Sequence, residues 1–237
     1  MEPQHIKAKP GDVARKAVIS GDPARVAQLS TLLGRPRLVS ENRGFVTYTG
    51  EYKGEELTVA CHGVGGPSAA VVIEELVMLG AKAMVRLGTC GGLTKPMRVG
   101  DMVIATGAGY KGGTLDYYFR REIVPKPDRQ LTALLVDSIK KQGVRYYTGR
   151  VFSTDAFFAE DLESTKKLSM RGYVAIEMEC ATLFGLGKLR GVKTASALLV
   201  SDNVTKGESI VDADALREHA MKAGEMVFAG LHRLLLE

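Results

Sequence analysis

The chain has 237 residues, of which 45% are hydrophobic and 25% are charged, a composition typical of a globular protein that buries a sizeable core. Its net charge of +5 is small and the Lys and Arg residues are scattered, which argues against a nucleic-acid-binding protein. No apolar segment is long enough to span a bilayer and the first residues lack the apolar run of a secretory signal, so we expect a cytoplasmic protein without a membrane partner.

Strand-like and helix-like segments alternate through the first half of the chain. Residues 16–20 (KAVIS) form a predicted strand, and Pro23 suits the first turn of the helix that follows. Residues 44–63 predict a hairpin with Lys53 and Gly54 near its turn, followed by a Gly-rich corner and a helix. The apolar runs AMVRLGTCGGL and GDMVIATGAG are two further predicted strands.

The same alternation continues in the second half. The polar stretch 111–128 predicts a long loop, and the helical spacing of residues 129–143 ends at Gly143. Predicted strands begin VRYYTG, YVAIE and TASALLV, with helices between them and a final helix that Asp212 or Asp214 caps. This order predicts an α/β fold, a single domain over residues 1–237 with a central mixed, twisted sheet flanked by helices.

The cysteines give no sign of a metal site or of a disulfide framework. Cys61, Cys90 and Cys180 are far apart in the sequence, and none belongs to a CxxC pair. We therefore expect three buried thiols and no bound metal.

Polar residues follow several of the predicted strands, at the ends where ligands bind in α/β sheets. Gly21 and Arg25 surround the start of a helix, which favours an anion, although a surface arginine beside a plain helix end is the alternative. Arg86 lies inside an apolar strand and needs a partner. Thr89 and the glycines after it offer a hydroxyl and backbone donors, so Arg86 belongs either to an anion site or to a structural ion pair.

Three acidic residues stand in apolar surroundings. Glu177 and Glu179 flank Met178, and buried carboxylates are costly without partners. A carboxylate can accept two hydrogen bonds from a cis-diol while the sugar packs on an apolar side chain. Asp202 lies at the end of the most apolar predicted strand. This position predicts either a general acid of raised pKa or an aspartate that caps a helix or forms a turn. An anion site, a diol site and an acid at the ends of neighbouring strands together indicate a site for a nucleoside and phosphate.

Five motifs in this order resemble the trimeric and hexameric nucleoside phosphorylases, especially archaeal purine nucleoside and 5′-methylthioadenosine phosphorylases: GDPARV, RLGTCGG, FSTDAFFAED, AIEMECATLF and VSDN. The resemblance covers nearly the whole chain. It implies phosphate-dependent cleavage of adenosine, inosine, guanosine or 5′-methylthioadenosine to the free base and (5-methylthio)ribose 1-phosphate, a pentosyltransferase reaction of purine salvage. It also implies no cofactor besides the co-substrate phosphate, and a homo-oligomer, a trimer of dimers with shared sites.

The resemblance also implies a role for each matching residue. Phosphate-binding residues are Gly21, Arg25, Arg86 and Thr89, together with Arg43, which reaches a neighbouring subunit's phosphate. Ribose-binding residues are Val64, Met178 and Glu179, together with His5, which meets the neighbour's ribose. On the base side, Phe157 stacks, Asp202 is the acid at N7 and Arg217 orients it. Glu177 also lies on the base side, as a structural partner rather than as the diol ligand.

Three other functions remain to be separated from this one. Uridine phosphorylases carry a Gln/Arg pair after the stacking aromatic, and FFAEDLESTKKLSMRG has no Gln, which favours a purine. Hydrolytic methylthioadenosine/S-adenosylhomocysteine nucleosidases lack the phosphate arginines, whereas Arg25 and Arg86 are present. A catalytically silent nucleoside-binding module would be expected to lack Asp202 or Glu179. The loop YKGGTLDYYFRRE and Asn203 depart from the bacterial purine enzymes, which leaves the preferred purine nucleoside open.

Overall fold

The computed structural model describes residues 2–111, 113–121, 123–212 and 214–236. Within these ranges it contains nine strands and seven α-helices. The strands are β1 (Lys16–Ser20), β2 (Gly34–Ser40), β3 (Thr47–Tyr52), β4 (Glu55–Cys61), β5 (Ala83–Gly92), β6 (Met102–Tyr110), β7 (Tyr146–Ser153), β8 (Tyr173–Glu177) and β9 (Lys193–Asn203). The helices are α1 (Pro23–Ser30), α2 (Gly66–Met78), α3 (Thr114–Tyr118), α4 (Arg129–Lys141), α5 (Leu162–Met170), α6 (Cys180–Arg190) and α7 (Arg217–His232).

The strands form one mixed sheet in the order β2-β3-β4-β1-β5-β8-β7-β6-β9, which confirms the predicted α/β fold. Strand β5 pairs along one edge with β9 and along the other first with β1 and then with β8. Because β9 also pairs with β6, strands β5, β8, β7, β6 and β9 close into a ring. This closure was not predicted, since it depends on the length over which β5 and β9 pair.

Helices cover both faces of the sheet. On one face α2 and α6 pack together, with Ile73 and Phe184 in their buried cluster. On the other face α1, α4 and α7 bury Leu29, Leu135 and Phe228. Strands β1, β5 and β9 are therefore almost entirely buried on both faces, as expected for parallel strands. Across the described residues, each helix is either too short or too polar to cross a membrane.

The predicted thiols and two predicted turns are confirmed. All three cysteines are buried and unpaired. Pro23 occupies the first turn of α1, and the Asp22 carboxylate caps that helix by accepting a hydrogen bond from the Ala24 N–H at 2.8 Å. Lys53 and Gly54 join β3 to β4 with φ of 52° and 83°, the left-handed conformation that a tight hairpin turn requires.

Three local predictions differ from the structure. Strand β2 (GRPRLVS) was missed because it is a mostly exposed edge strand and shows no buried period. The predicted loop 111–128 contains the short helix α3, while residues 112 and 122 lie outside the described part of the chain. The predicted cap of the last helix is wrong: α7 begins at Arg217 without a side-chain cap, and the Asp212 carboxylate instead accepts the Asp214 N–H, in the 3-10 turn before α7.

The parallel strands bring their carboxyl ends to one edge of the sheet. Strand β1 runs parallel to β4 and β5, and β5 runs parallel to β9. The segments that follow β1 and β4 therefore lie beside the ends of β5 and β9. The polar motifs at these ends are far apart in sequence but adjacent in the fold.

Candidate active site

A cavity of about 630 Å³ opens at this edge. Most of the predicted site residues line it: Gly21, Arg25, Val64, Arg86, Thr89, Phe157, Glu177, Met178, Glu179 and Asp202. Its volume lies in the range of small-molecule sites. Three predicted residues are not part of its lining, namely His5, Arg43 and Arg217.

Arg86 and Glu179 form a buried ion pair in the floor of the cavity. Both Nε and Nη2 of Arg86 donate to Glu179 Oε2, with an Nε–O distance of 3.1 Å, and Glu179 Oε1 accepts the Gly65 N–H at 2.7 Å. Burial alone lowers the pKa of Arg86, but Glu179 and Glu177 outweigh this effect and hold it above its usual value. The same contact lowers the pKa of Glu179 against the opposing effect of burial. The structural ion pair considered for Arg86 is therefore present.

The third guanidinium nitrogen of Arg86 has no such partner. Nη1 is buried and, among the described residues, meets no hydrogen-bond acceptor. It lies above Gly88, where an added Cβ atom would be 1.3 Å from it. A buried N–H without an acceptor costs about 1–3 kcal/mol, so this donor favours an oxygen supplied by a ligand. Arg86 can hold Glu179 through two nitrogens and an anion through the third.

Glu177 is a structural residue, and its side chain is fully buried. Its carboxylate accepts the N–H groups of Glu179 and Cys180 at 2.8 and 2.9 Å, as well as the Ser153 hydroxyl. Burial raises the pKa of Glu177, although Arg86 lies 3.6 Å away and opposes the rise. Because these contacts hold the turn between β8 and α6, Glu177 positions Met178 and Glu179. Its assignment to the base side stays a prediction, and its contacts in the structure are those of a residue that supports this turn.

The other arginine of the cavity lies at the start of α1. Arg25 is buried and its Nη1 is 3.4 Å from the Ser20 hydroxyl, a weak contact for a guanidinium group. Burial lowers the pKa of Arg25, and Arg86 adds to this effect while Asp22 opposes it. Two guanidinium groups that repel each other at a helix N-terminus create a positive end of the cavity.

Other parts of the cavity lining are aromatic and acidic. Phe157 is 45% exposed, and beside it Phe158 packs edge-on with the ring centroids 5.1 Å apart. Asp202 accepts the Ser201 hydroxyl at 2.8 Å. Burial raises the pKa of Asp202 while the Ser201 hydrogen bond opposes the rise. Asp202 is the last residue but one of β9, and the N-cap of the 3-10 turn that follows is Asn203 rather than Asp202.

The three predicted site residues that do not line the cavity, His5, Arg43 and Arg217, make other contacts. His5 donates or accepts through Nδ1 at 2.7 Å from Glu75, which also accepts backbone N–H groups from residues 4–6. Asn42, next to the exposed Arg43, donates to the His5 carbonyl at 2.8 Å, so His5 and Arg43 share one surface. Arg217 is exposed and pairs with Asp214 at 2.5 Å. The structure thus does not bring Arg217 to Asp202, and its orienting role stays a prediction.

One acidic residue of the cavity was missed in the sequence. Glu160 lines the cavity after the 3-10 turn Phe157–Ala159. It lies in a polar stretch, DAFFAEDLES, where a glutamate is ordinarily a solvated surface residue. The signal that distinguishes it is its environment, which only the fold provides. In the described part of the chain, no group of three or more His, Cys, Asp or Glu side chains is arranged to hold a metal.

Comparisons with known proteins show which family the chain belongs to. The sequence model of the phosphorylase superfamily matches residues 15–235. The chain is 36% identical to a guanosine phosphorylase of Halorubrum lacusprofundi, covering 86% of this chain and 84% of that one. It is 35% identical to a uridine phosphorylase of Thermococcus kodakarensis, covering 86% and 78%. The crystal structure of a uridine phosphorylase from Vibrio fischeri superposes with a TM-score of 0.89 at 26% identity, over 98% of both chains. The chain therefore belongs to the phosphorylase superfamily and to its nucleoside phosphorylases.

Proposed function

We propose that the protein cleaves the N-glycosidic bond of purine nucleosides with inorganic phosphate, releasing the purine base and ribose 1-phosphate. The observation that carries the proposal is the set of side chains that line one cavity: two arginines, a buried carboxylate, an aromatic ring and a further acid. The arginines suit a phosphate, the buried carboxylate suits a ribose, and the aromatic ring with the acid suits a base.

Phosphate fits the end formed by Arg25 and Arg86. The unpartnered Nη1 of Arg86 and the weakly bonded guanidinium of Arg25 both favour an anion. The turn from Gly21 into α1 adds the positive end of a helix, and Thr89 adds a hydroxyl. Phosphate bound here is the nucleophile, and its charge also stabilises the positive ribose of the transition state.

Ribose fits beside Met178 and Glu179. A carboxylate has about four lone-pair positions, and Glu179 uses three for the hydrogen bonds from Gly65 and Arg86. Lone-pair capacity therefore remains for a sugar hydroxyl, and partial release of Arg86 towards phosphate frees more. Since Arg86 contacts both subsites, phosphate binding and ribose binding are expected to support each other.

The base fits against Phe157 with Asp202 at its edge. As the bond between C1′ and N9 breaks, its electron pair moves onto the purine, and an oxygen of phosphate forms the new bond to C1′. Burial raises the pKa of Asp202, which makes its carboxyl group easier to protonate, and we assign to it the proton that N7 of the departing purine receives. The absence of Gln from residues 157–172 further supports a purine over uridine.

We also propose that the protein is a homo-oligomer, a trimer of dimers. His5 and Arg43 share a surface outside their own cavity, which suits residues that complete the site of a neighbour. Glu75 holds the His5 ring through Nδ1, so that Nε2 remains available to a ligand.

Replacing Gly88 by alanine is expected to raise the KM for phosphate at least about tenfold, by the loss of one charged hydrogen bond. The added Cβ would fall on Arg86 Nη1, and this side chain cannot move freely because Glu179 and Glu177 hold it. Initial rates at varied phosphate measure the change. The matched control is Gly34→Ala on the exposed edge strand, where a Cβ meets its nearest atom at 3.5 Å and no change is expected. An unchanged KM in G88A would contradict the placement of phosphate on Arg86.

The experiment that tests the choice of substrate is the release of free base from five nucleosides in the presence of phosphate. We expect release from one or more of adenosine, inosine, guanosine and 5′-methylthioadenosine, at rates well above that with uridine. Faster release from uridine would overturn the purine assignment while leaving the phosphorylase intact.

A further inference from the structure

The imidazole ring of His62 is a buried ionisable group that the mechanism above does not use. Its side chain has no exposed surface. Neither ring nitrogen has a hydrogen-bond partner in the described part of the chain. A neutral imidazole carries one N–H donor and one acceptor, and buried polar groups without partners are rare in folded proteins. The position of this ring therefore needs a functional explanation.

The ring lies next to the turn that we propose to hold phosphate. His62 follows β4, whose last residue, Cys61, pairs with Ser20 of β1. The His62 N–H donates to the Ser20 carbonyl at 2.8 Å, and the His62 carbonyl accepts the Ser68 hydroxyl at 2.7 Å. Its ring carbon Cε1 is 3.4 Å from the point where Gly21 would carry a Cβ atom. Because Gly21 lines the cavity, only this turn separates the ring from the phosphate subsite.

The charges around the ring keep it neutral in the absence of an anion. Burial and then the positive charge of Arg86 lower the pKa of His62 to about 4, while Glu179 opposes this fall. Arg86 belongs to β5 and Glu179 to the turn between β8 and α6, and the side chain of α2 that contacts His62 is the uncharged Ser68. The other ionisable groups around the phosphate subsite are Asp22, Arg25, Cys61 and Glu177.

A bound anion would reverse this balance. Phosphate at Arg86 brings up to two negative charges, which offset the arginine that opposes protonation of His62 and attract a proton to the ring. Arg86 is already paired with Glu179, and Arg25 interacts with Asp22. Part of the positive charge of the two arginines is therefore compensated before a dianion binds. A proton on the buried ring supplies further positive charge beside the anion.

We propose that His62 is a positioning residue of the phosphate subsite, which takes up a proton from the solvent when a tetrahedral dianion binds. The inference rests on the proposed phosphate subsite and adds a form of regulation to it. The ring acts through Gly21 and Arg86 rather than by contact with the substrate. The anion and the proton bind together and leave together, so the affinity for the dianion rises as the pH falls.

The test is the binding of sulfate to the protein, measured by isothermal titration calorimetry without nucleoside between about pH 5.5 and 7.5. Sulfate is a tetrahedral dianion that does not titrate in this range, whereas phosphate itself does. We expect the wild-type Kd for sulfate to fall about three- to tenfold from the upper to the lower pH. The difference between the heats measured at the lower pH in two buffers of different ionisation enthalpy gives the number of protons taken up.

Two variants separate His62 from the carboxyl groups of the cavity. His62→Gln and His62→Asn each keep a donor and an acceptor but cannot ionise, so most of the pH dependence and of the proton uptake should be lost. Glu177, Glu179 and Asp202 remain in both variants, so any proton uptake by these groups is measured there. The matched control is His219→Gln, an exposed residue of α7, which should keep the wild-type profile. An equal Tm for all variants shows that the folds compare.

Two outcomes would overturn the inference. A wild-type affinity for sulfate that does not change with pH, or one that changes equally in the His62 variants, removes His62 from anion binding while phosphorolysis stands. Failure of both sulfate and phosphate to bind the wild type would contradict the phosphate subsite of the proposed function, and the inference falls with it.

Discussion

Replacing Arg86 by alanine is expected to lower kcat/KM by about a thousandfold or more, since a phosphate ligand and the partner of Glu179 are lost together. The same change should lower the free energy of unfolding by about 3–5 kcal/mol, because two buried carboxylates lose their counter-charge. Steady-state rates with a purine nucleoside and phosphate measure the first effect, and urea denaturation at neutral pH measures the second. The loss of stability should shrink at lower pH, where the unpaired carboxyl groups, with their pKa values then raised, become protonated.

Two controls separate the catalytic from the structural part of this result. Arg190→Ala removes an arginine that contacts Glu74 at 2.8 and 2.9 Å on the surface, and it should cost less than about 1 kcal/mol. Adding Glu179→Gln to the Arg86 variant should recover part of the stability and none of the activity. Near wild-type activity in the Arg86→Ala variant would contradict the shared role of this side chain in phosphate and ribose binding.

Replacing Asp202 by asparagine is expected to lower kcat for inosine by about a hundredfold to ten-thousandfold, the usual contribution of a general acid. Asparagine keeps the size of the side chain but cannot give a proton to N7. A nucleoside already methylated at N7 carries its positive charge before the bond breaks and needs no such proton. With 7-methylinosine or 7-methylguanosine, the variant should therefore retain activity within about tenfold of the wild type.

The comparison of the two substrate types is the internal control for this variant. An equal loss with both would show that Asp202 positions the base rather than protonates it. Asp161→Asn serves as a second control, because this exposed residue caps α5 and asparagine is an equally good cap. It should leave both activities unchanged.

Much of this fold could be predicted from local pattern. The alternation of apolar strands and helices predicts an α/β sheet, and the glycines and polar residues after β1, β5 and β9 mark the edge where the cavity lies. The closed ring could not be predicted, because it depends on which strands pair along the length of β5 and β9. The edge strand β2 was missed because most of its residues are exposed, so its sequence shows no alternation of apolar and polar residues.

Some residues of the candidate site could be predicted from the sequence and others could not. Arg86, Glu179 and Asp202 stand out in the sequence because a charged residue in an apolar segment needs a partner. Glu177 stands out equally, yet the structure gives it a structural role, because the backbone N–H groups it accepts lie only two and three residues further along the chain. Glu160 does not stand out, because it lies in a polar stretch of the sequence and only the fold buries it and brings it near Asp202. Its chemistry follows from the fold and not from its neighbours.

The measurement that tests phosphorolysis most directly is the phosphorus NMR spectrum of a reaction with a purine nucleoside, recorded with phosphate and compared with base release in its absence. We expect ribose 1-phosphate to form in an amount equal to the free base, with no base released when phosphate is omitted. Base release at the same rate without phosphate, with free ribose as the product, would show a hydrolase and contradict the role assigned to Arg25 and Arg86.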